Sequence, residues 1–222
     1  MKVTDGVYAY LWTNMMENNC NTYVLEGKEG LILVDPGLKR YVPDVIDSMK
    51  HDGLNPEDIF LIINTHSHPD HLDGDAYFMD QDVQMTMHEE EAQFLDNIGK
   101  EFFRMFGLEP PQYRIDFFSN EGELQAKDIT LQVIHSPGHS PGSICLYWPE
   151  KEVLVSGDVV FSGSIGRTDF PGGSSSTLKE SIEKISGLNV SYLLPGHNEL
   201  VEGAEEISRN FDFIKRSFFS FL

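Results

Sequence analysis

The sequence predicts a mixed α/β (α+β) chain folded as a four-layer αββα sandwich, a single domain over residues 1–222. Three observations predict it. The apolar runs are short and bounded by turn residues, as strands are. Stretches with helical apolar spacing separate them. The alternation occurs twice along the chain, so two sheets can pack face to face with helices outside.

Taken in order, Tyr8 to Trp12, Asn21 to Leu25 and, beyond the Gly27 to Gly30 turn, Leu31-Ile32-Leu33-Val34 read as antiparallel strands. After Asp35-Pro36-Gly37, the spacing of Val42, Val45, Ile46 and Met49 predicts a helix, and Ile59 to Ile63 a buried strand. The second series gives strands at Leu131 to Ile134, Ile144 to Trp148 and Val153 to Val155, a helix built on Leu178, Ile182 and Ile185, and a strand from Val190 to Leu194. A last helix carries Ile207, Phe211, Ile214 and Phe218 along one stripe. Residues from about 88 to 118 stand apart. They are rich in Phe and Met and end at the breaker Pro110-Pro111. A helical lid over a site, ordinary helix packing and a subunit interface are equally open readings of that insertion.

With 40% hydrophobic residues among 222, the chain can fill one sizeable core. Its formal charge of −20 would repel phosphate backbones and anionic membranes, so neither nucleic acid nor membrane is an expected partner. Cys20 and Cys145 are too few for a disulfide framework and form no CxxC pair, and Cys145 lies in an apolar run that favours an inert buried thiol. The first residues lack the apolar stretch of a signal peptide, and no run approaches the ~18 apolar residues of a membrane span. A cytoplasmic, reducing location is the expectation.

The chemistry is concentrated in Thr65-His66-Ser67-His68-Pro69-Asp70-His71, the pattern HxHxDH. Three imidazoles and a carboxylate on one short loop can fan out toward two centres, and neutral nitrogen with anionic oxygen suits zinc, iron or manganese. Other candidate ligands also follow the ends of apolar runs. Leu131 to Ile134 leads to His139, Val153 to Val155 to Asp158, and Val190 to Leu194 to His197. Four strand ends can thus meet on one rim. His51 and His88 have no such context and are expected to be solvated; His135 lies beside the ligand loop but off the pattern.

Asn21-Thr22-Tyr23, Leu33-Val34-Asp35-Pro36-Gly37, HxHxDH, His139-Ser140-Pro141-Gly142-Ser143, Ser156-Gly157-Asp158 and Pro195-Gly196-His197 together resemble the metallo-β-lactamase-fold hydrolases, and among them the glyoxalase II branch. The resemblance implies two divalent metal ions, zinc first among the candidates. His66, His68 and His139 would take one, Asp70, His71 and His197 the other, and Asp158 would bridge both. Asp35 would hold a ligand histidine in its working tautomer from behind; as a bare reading of the residues it is a turn former.

Two metals sharing a water can bring its pKa from 15.7 toward ~7, which makes acyl hydrolysis by a metal-bridging hydroxide the expected reaction, with Asp70 as the catalytic residue that orients the nucleophile. A thiolate leaves unaided, whereas an amine needs an acid, and no spare histidine is clearly placed to be one. A thioester is therefore the expected small-molecule substrate, as for hydroxyacylglutathione hydrolases. In the loop from Gly163 to Gly173, Arg167 and Asp169 are the substrate-binding candidates: Arg167 matches a basic position of the family and could clamp a substrate carboxylate, or pair with Asp169 in a structural turn. Glyoxalase II enzymes add a C-terminal helical region for glutathione, and the 25 residues after His197 suffice only for the last helix. Gly166-Arg167-Thr168-Asp169-Phe170 also resembles persulfide dioxygenases of the same fold, in which His66, His139 and Asp158 would hold one iron. A metal-binding protein without catalysis is a third reading, and homo-oligomerisation stays open.

Overall fold

Strands that are apolar on both faces decide the architecture. In β4 (Gly30–Val34), Ile32 and Val34 point to one side and Leu31 and Leu33 to the other, and all four are buried. A strand buried on both sides must lie between two other layers. The computed structural model describes residues 1–14, 16–110 and 113–222, and its layers follow that rule.

β1 (Lys2–Thr4), β2 (Val7–Tyr10) and β3 (Thr22–Gly27) precede β4; β5 (Ile59–Ile63), β6 (Gln84–Met87) and β7 (Phe117–Phe118) follow it, in a seven-stranded sheet whose spatial order is the chain order. The first four strands are antiparallel and the pairs from β4 to β7 are parallel. The second sheet comprises β8 (Gly122–Ala126), β9 (Ile129–His135), β10 (Ile144–Trp148), β11 (Val153–Gly157), β14 (Tyr192–Pro195) and β15 (Val201–Glu202), with β11 and β14 parallel. A short ribbon, β12 (Val160–Phe161) with β13 (Ser164–Ile165), follows β11.

Between the sheets Ile32, Val34, Leu61 and Ile63 meet Leu131, Val133, Leu146 and Val155. Each such fully buried aliphatic side chain is worth about 1.5–3 kcal/mol. On the outer face of the first sheet, Leu31, Leu33 and Ile62 pack on Val42, Ile46 and Met49 of α1 (Val42–His51). On the outer face of the second, Cys145, Tyr147 and Leu154 pack on α5 (Ser175–Ile185) and on Ile207, Phe211 and Ile214 of α6 (Ala204–Phe218). This is the four-layer αββα sandwich. Burial pushes the Cys145 thiol up to about 12, consistent with an inert core thiol.

Several local expectations shift. The strand expected at Val190 to Leu194 runs over Tyr192–Pro195. β8 went unrecognised in the sequence because it is an edge strand with little buried surface. The 88–118 segment begins with α3 (Glu89–Phe94), continues through a π turn at Leu95–Gly99 into α4 (Lys100–Met105), and rejoins the first sheet as β7; α2 is the single turn Pro69–Leu72. Of the expected breaker Pro110-Pro111, Pro111 lies outside the described residues. His51 is exposed, but His88 is not solvated: it is 6% exposed, its ring stacks on that of His135 at 4.0 Å, and its Nδ1 accepts from Glu90 N at 3.2 Å, capping α3. A lone histidine before an acidic triplet carries no sequence mark of that dual use.

Candidate metal centre

The rim that gathers the site lies where the parallel pairs β4–β5 and β11–β14 end. β4 delivers Asp35, β5 delivers Asn64-Thr65-His66, β11 delivers Asp158 and β14 delivers His197, while β9 runs into the loop that carries His139. Gly196 permits the closest of these approaches: a Cβ there would sit 2.2 Å from Asp158 Oδ1.

His66, His68 and His139, all buried, converge through His66 Nε2, His68 Nδ1 and His139 Nε2, with His68 Nδ1 3.1 Å from the first and 2.8 Å from the last. The far nitrogens of His139 and His66 fix their tautomers, while His68 Nε2 has no hydrogen-bond partner among the described residues. His139 Nδ1 donates to the carbonyl of Arg167 at 2.8 Å. Thr65 Oγ1 gives its one proton to Asp35 Oδ2 at 2.7 Å, so it accepts from His66 Nδ1 at 3.1 Å. His66 Nε2 and His139 Nε2 therefore both present lone pairs to His68 Nδ1, which owns at most one proton. Three such nitrogens can be satisfied together by a cation. Burial, then the neighbouring imidazoles, holds His66 well below its ordinary value; burial and the charge of His139 bring His68 down to about 3. Both are in the neutral form that ligates metal.

The second group is Asp70, His71 and His197. His197 Nε2 lies 3.2 Å from Asp70 Oδ2 and 3.4 Å from His71 Nε2. Asp158 touches both groups, with Oδ1 3.4 Å from His71 Nε2 and Oδ2 3.4 Å from His139 Nε2 and 3.5 Å from His197 Nε2. Burial would lower His197, but the charge and hydrogen bond of Asp158 and the hydrogen bond of Asp70 raise it to about 10. Burial would raise Asp70, but the hydrogen bond from His197 and the charges of His71 and His197 hold it at about 2. Asp158 Oδ1 is buried without a hydrogen-bond partner among the described residues, the state expected of an oxygen whose partner is a metal. The two histidine groups, together with His66, His71 and Asp158, each place ligand atoms within 4.8 Å of one another.

Asp35 stands behind both groups. It is 1% exposed, accepts from Thr65 N at 2.7 Å and, through Oδ2, from His71 Nδ1 at 2.9 Å. It is more than a turn former. Asn18 and Glu91 escaped the sequence reading, and Phe102 lies in the segment for which a lid is one of three open readings. Asn18 Nδ2 donates to Asp70 Oδ2 at 2.8 Å; Phe102 stacks on the ring of His68 at 4.9 Å; Glu91, fully buried, accepts from both ligand loops.

The site opens into a cavity of about 250 Å³ lined by His68, Asp70, His139, Asp158 and His197 below and by Phe102, Phe106, Phe161 and Phe170 at its sides. Arg167 lines it too. Its guanidinium lies 3.8 Å over the Phe170 ring and pairs bidentately with Asp169, Nε to Oδ1 at 2.9 Å and Nη2 to Oδ2 at 2.7 Å.

A model of the metallo-beta-lactamase superfamily matches residues 15–197. The hydroxyacylglutathione hydrolase GloC of Haemophilus influenzae is 32% identical over 201 residues, 87% of this chain and 92% of the relative. The acyl-coenzyme A thioesterase MBLAC2 of Homo sapiens is 31% identical over 224 residues, 86% of this chain and 77% of the relative. Among solved structures, TTHA1623 in a di-iron-bound form superposes with a TM-score of 0.75 at 28% identity, covering 91% of this chain and 98% of that one.

Proposed function

Because the chain belongs to the metallo-beta-lactamase superfamily, we propose that it is a dinuclear metal-dependent hydrolase of small acyl substrates, thioesters first among them. The observation that carries the reading is the pair of donor groups joined by Asp158, whose buried Oδ1 makes no hydrogen bond among the described residues. His66, His68 and His139 would hold one divalent cation, zinc in the first instance, and Asp70, His71 and His197 the other, with Asp158 shared. When bound, such a pair supplies the acidity that makes water a nucleophile near neutral pH and polarises the substrate carbonyl.

The chain does the rest. Asp70, held at about 2, stays a carboxylate and orients the attacking water by accepting its hydrogen bond, while Asn18 keeps Asp70 in place. The phenylalanine walls receive the acyl group and keep bulk water from the carbonyl. Asp169 fixes the plane of the Arg167 guanidinium at the cavity edge, leaving its outer donors for a carboxylate of the substrate.

The leaving group follows from what the cavity lacks. Among the described residues no histidine outside the metal-forming groups lines it, and His88 and His135 are stacked on each other elsewhere. An amine would need an acid there; a thiolate does not. The chain's likeness to a hydroxyacylglutathione hydrolase and an acyl-coenzyme A thioesterase supports the same choice.

The test is metal content per chain followed by turnover on a panel of acyl thioesters. Two equivalents of metal, thioester hydrolysis, and loss of that hydrolysis in Asp158→Ala are expected. Full turnover by Asp158→Ala would refute the dinuclear reading. One equivalent of iron with thiol-dependent oxygen uptake would replace hydrolysis by the persulfide dioxygenase reaction.

A further inference from the structure

Glu91 has no exposed surface, and its hydrogen-bond partners among the described residues are serine hydroxyls and backbone amides rather than a lysine or arginine. Its two oxygens serve two different loops. Oε1 accepts from Ser67 N at 2.8 Å and Ser67 Oγ at 2.6 Å; Oε2 accepts from Ser140 Oγ at 2.8 Å and Gly142 N at 2.8 Å. Ser67 stands between His66 and His68, and Ser140 directly follows His139. Every partner is a donor, so one side chain receives both loops that build the first histidine group.

The surrounding packing leaves this arrangement no slack. A Cβ at Gly142 would lie 2.2 Å from Glu91 N and 2.5 Å from Glu91 Cβ, so only glycine lets the first turn of α3 sit against the loop. Ser143 Oγ lies 2.7 Å from Ser140 Oγ and 3.2 Å from Ser140 N, which aims the Ser140 hydroxyl proton at Glu91. Among the described residues no single carboxylate does this for the second group; there the segment 18–21 serves instead, Cys20 N donating to the Asp70 carbonyl and Asn21 to the carbonyls of Pro195, Gly196 and Asn198, well away from Glu91.

We propose that Glu91 is the positioning residue of the first metal group, setting the distance between the His66–His68 loop and the His139 loop and hence the affinity of that group alone. Glutamine in its place would turn an amide nitrogen toward Ser67 N or Gly142 N, donor against donor, and release one loop from the other. The buried negative charge also favours a cation among three neutral imidazoles, and glutamine removes it. The proposal rests on the metal-binding reading above.

The test is zinc titration of metal-stripped protein against a chromophoric chelator, for wild type, Glu91→Gln, Ser140→Ala, His139→Ala and the Glu91→Gln/His139→Ala double variant. In Glu91→Gln, affinity for the zinc equivalent that His139→Ala also removes should fall by about 10–100-fold. The other equivalent should be unchanged, and the double variant should be no worse than His139→Ala. A folded Glu91→Gln that binds both equivalents like wild type, or that loses both in parallel with its melting temperature, overturns the proposal. If Glu91→Gln does not fold, Ser140→Ala, which leaves the Ser67 and Gly142 bonds in place, decides by the same criterion with a smaller expected loss. A wild type that binds one zinc refutes the dinuclear reading separately; Glu91 is then judged by whether its variant weakens the ion that His139→Ala abolishes.

Discussion

Asp35 Oδ2 accepts the Nδ1 proton of His71 at 2.9 Å while also accepting the hydroxyl of Thr65, which in turn receives His66 Nδ1. One carboxylate oxygen thus fixes the tautomer of a histidine from each donor group. Groups that orient ligating histidines in this way contribute about 10–100-fold to metal affinity. Asp35→Asn should therefore lose affinity for both metal equivalents and hydrolysis along with it, read by chelator competition and steady-state kinetics. Loss at one equivalent only would show that the Thr65 relay to His66 carries no weight.

Gly196→Ala places a methyl 2.2 Å from Asp158 Oδ1 and 2.8 Å from His71 Cε1. The carboxylate must swing out from between the two groups. Metal stoichiometry should drop below two and thioester turnover should fall at least tenfold, with far-ultraviolet circular dichroism unchanged. An alanine variant with normal turnover would mean that Asp158 need not sit where the structure puts it.

Arg167 and Asp169 form an exposed pair, 60% and 67% accessible, so solvent screens it and breaking it costs little stability. Arg167→Ala should leave the melting temperature within about 2 °C and raise KM, with kcat little changed, for thioesters that carry a carboxylate. Equal KM changes for charged and uncharged thioesters would remove Arg167 from substrate recognition.

Asp75 is buried beneath the ligand loop, with Oδ2 accepting from Asn64 Nδ2 at 2.7 Å and Oδ1 unpartnered among the described residues. Burial, opposed by the Asn64 hydrogen bond and helped by the charges of Asp35 and Asp73, pushes it from 3.8 up to about 8. The folded chain then keeps a proton that the unfolded chain releases. This residue's contribution to stability is complete below about pH 3.8 and is lost as the pH rises toward 8, by up to ~1.4 kcal/mol per pH unit. Asp75→Asn should flatten that decline, so its urea midpoint should gain on wild type at pH 8 relative to pH 5 in metal-free protein. Parallel pH profiles for the two proteins would contradict the buried neutral acid.

What could be read in the sequence is what one stretch of chain specifies by itself. β4, β5 and β10 are apolar on both faces because layers cover both, and HxHxDH concentrates four donors in one loop, so the fold and the place where the donors gather are legible. Glu91 is not. In the triplet Glu89-Glu90-Glu91 the first two are exposed and the third fully buried, and only the docking of α3 on the loops tells them apart. Phe102 belongs to a segment that reads equally as lid, helix packing or interface until α4 lays it on His68, and Asn18 sits in a polar stretch whose partner lies 52 residues away. Asp35 was legible only through the resemblance, since its bonds to Thr65 and His71 arise from the pairing of β4 with β5.

His66, His68, Asp70 and His71 issue from the first sheet, and His139, Asp158 and His197 from the second. A cation shared among them, as proposed, would be a removable staple across the two halves of the sandwich. Loading would then add to the stability of the folded state. A chain starved of metal keeps its layers but loses the fastening along one rim, so the loops there become the first part open to proteolysis and the part that metal supply protects.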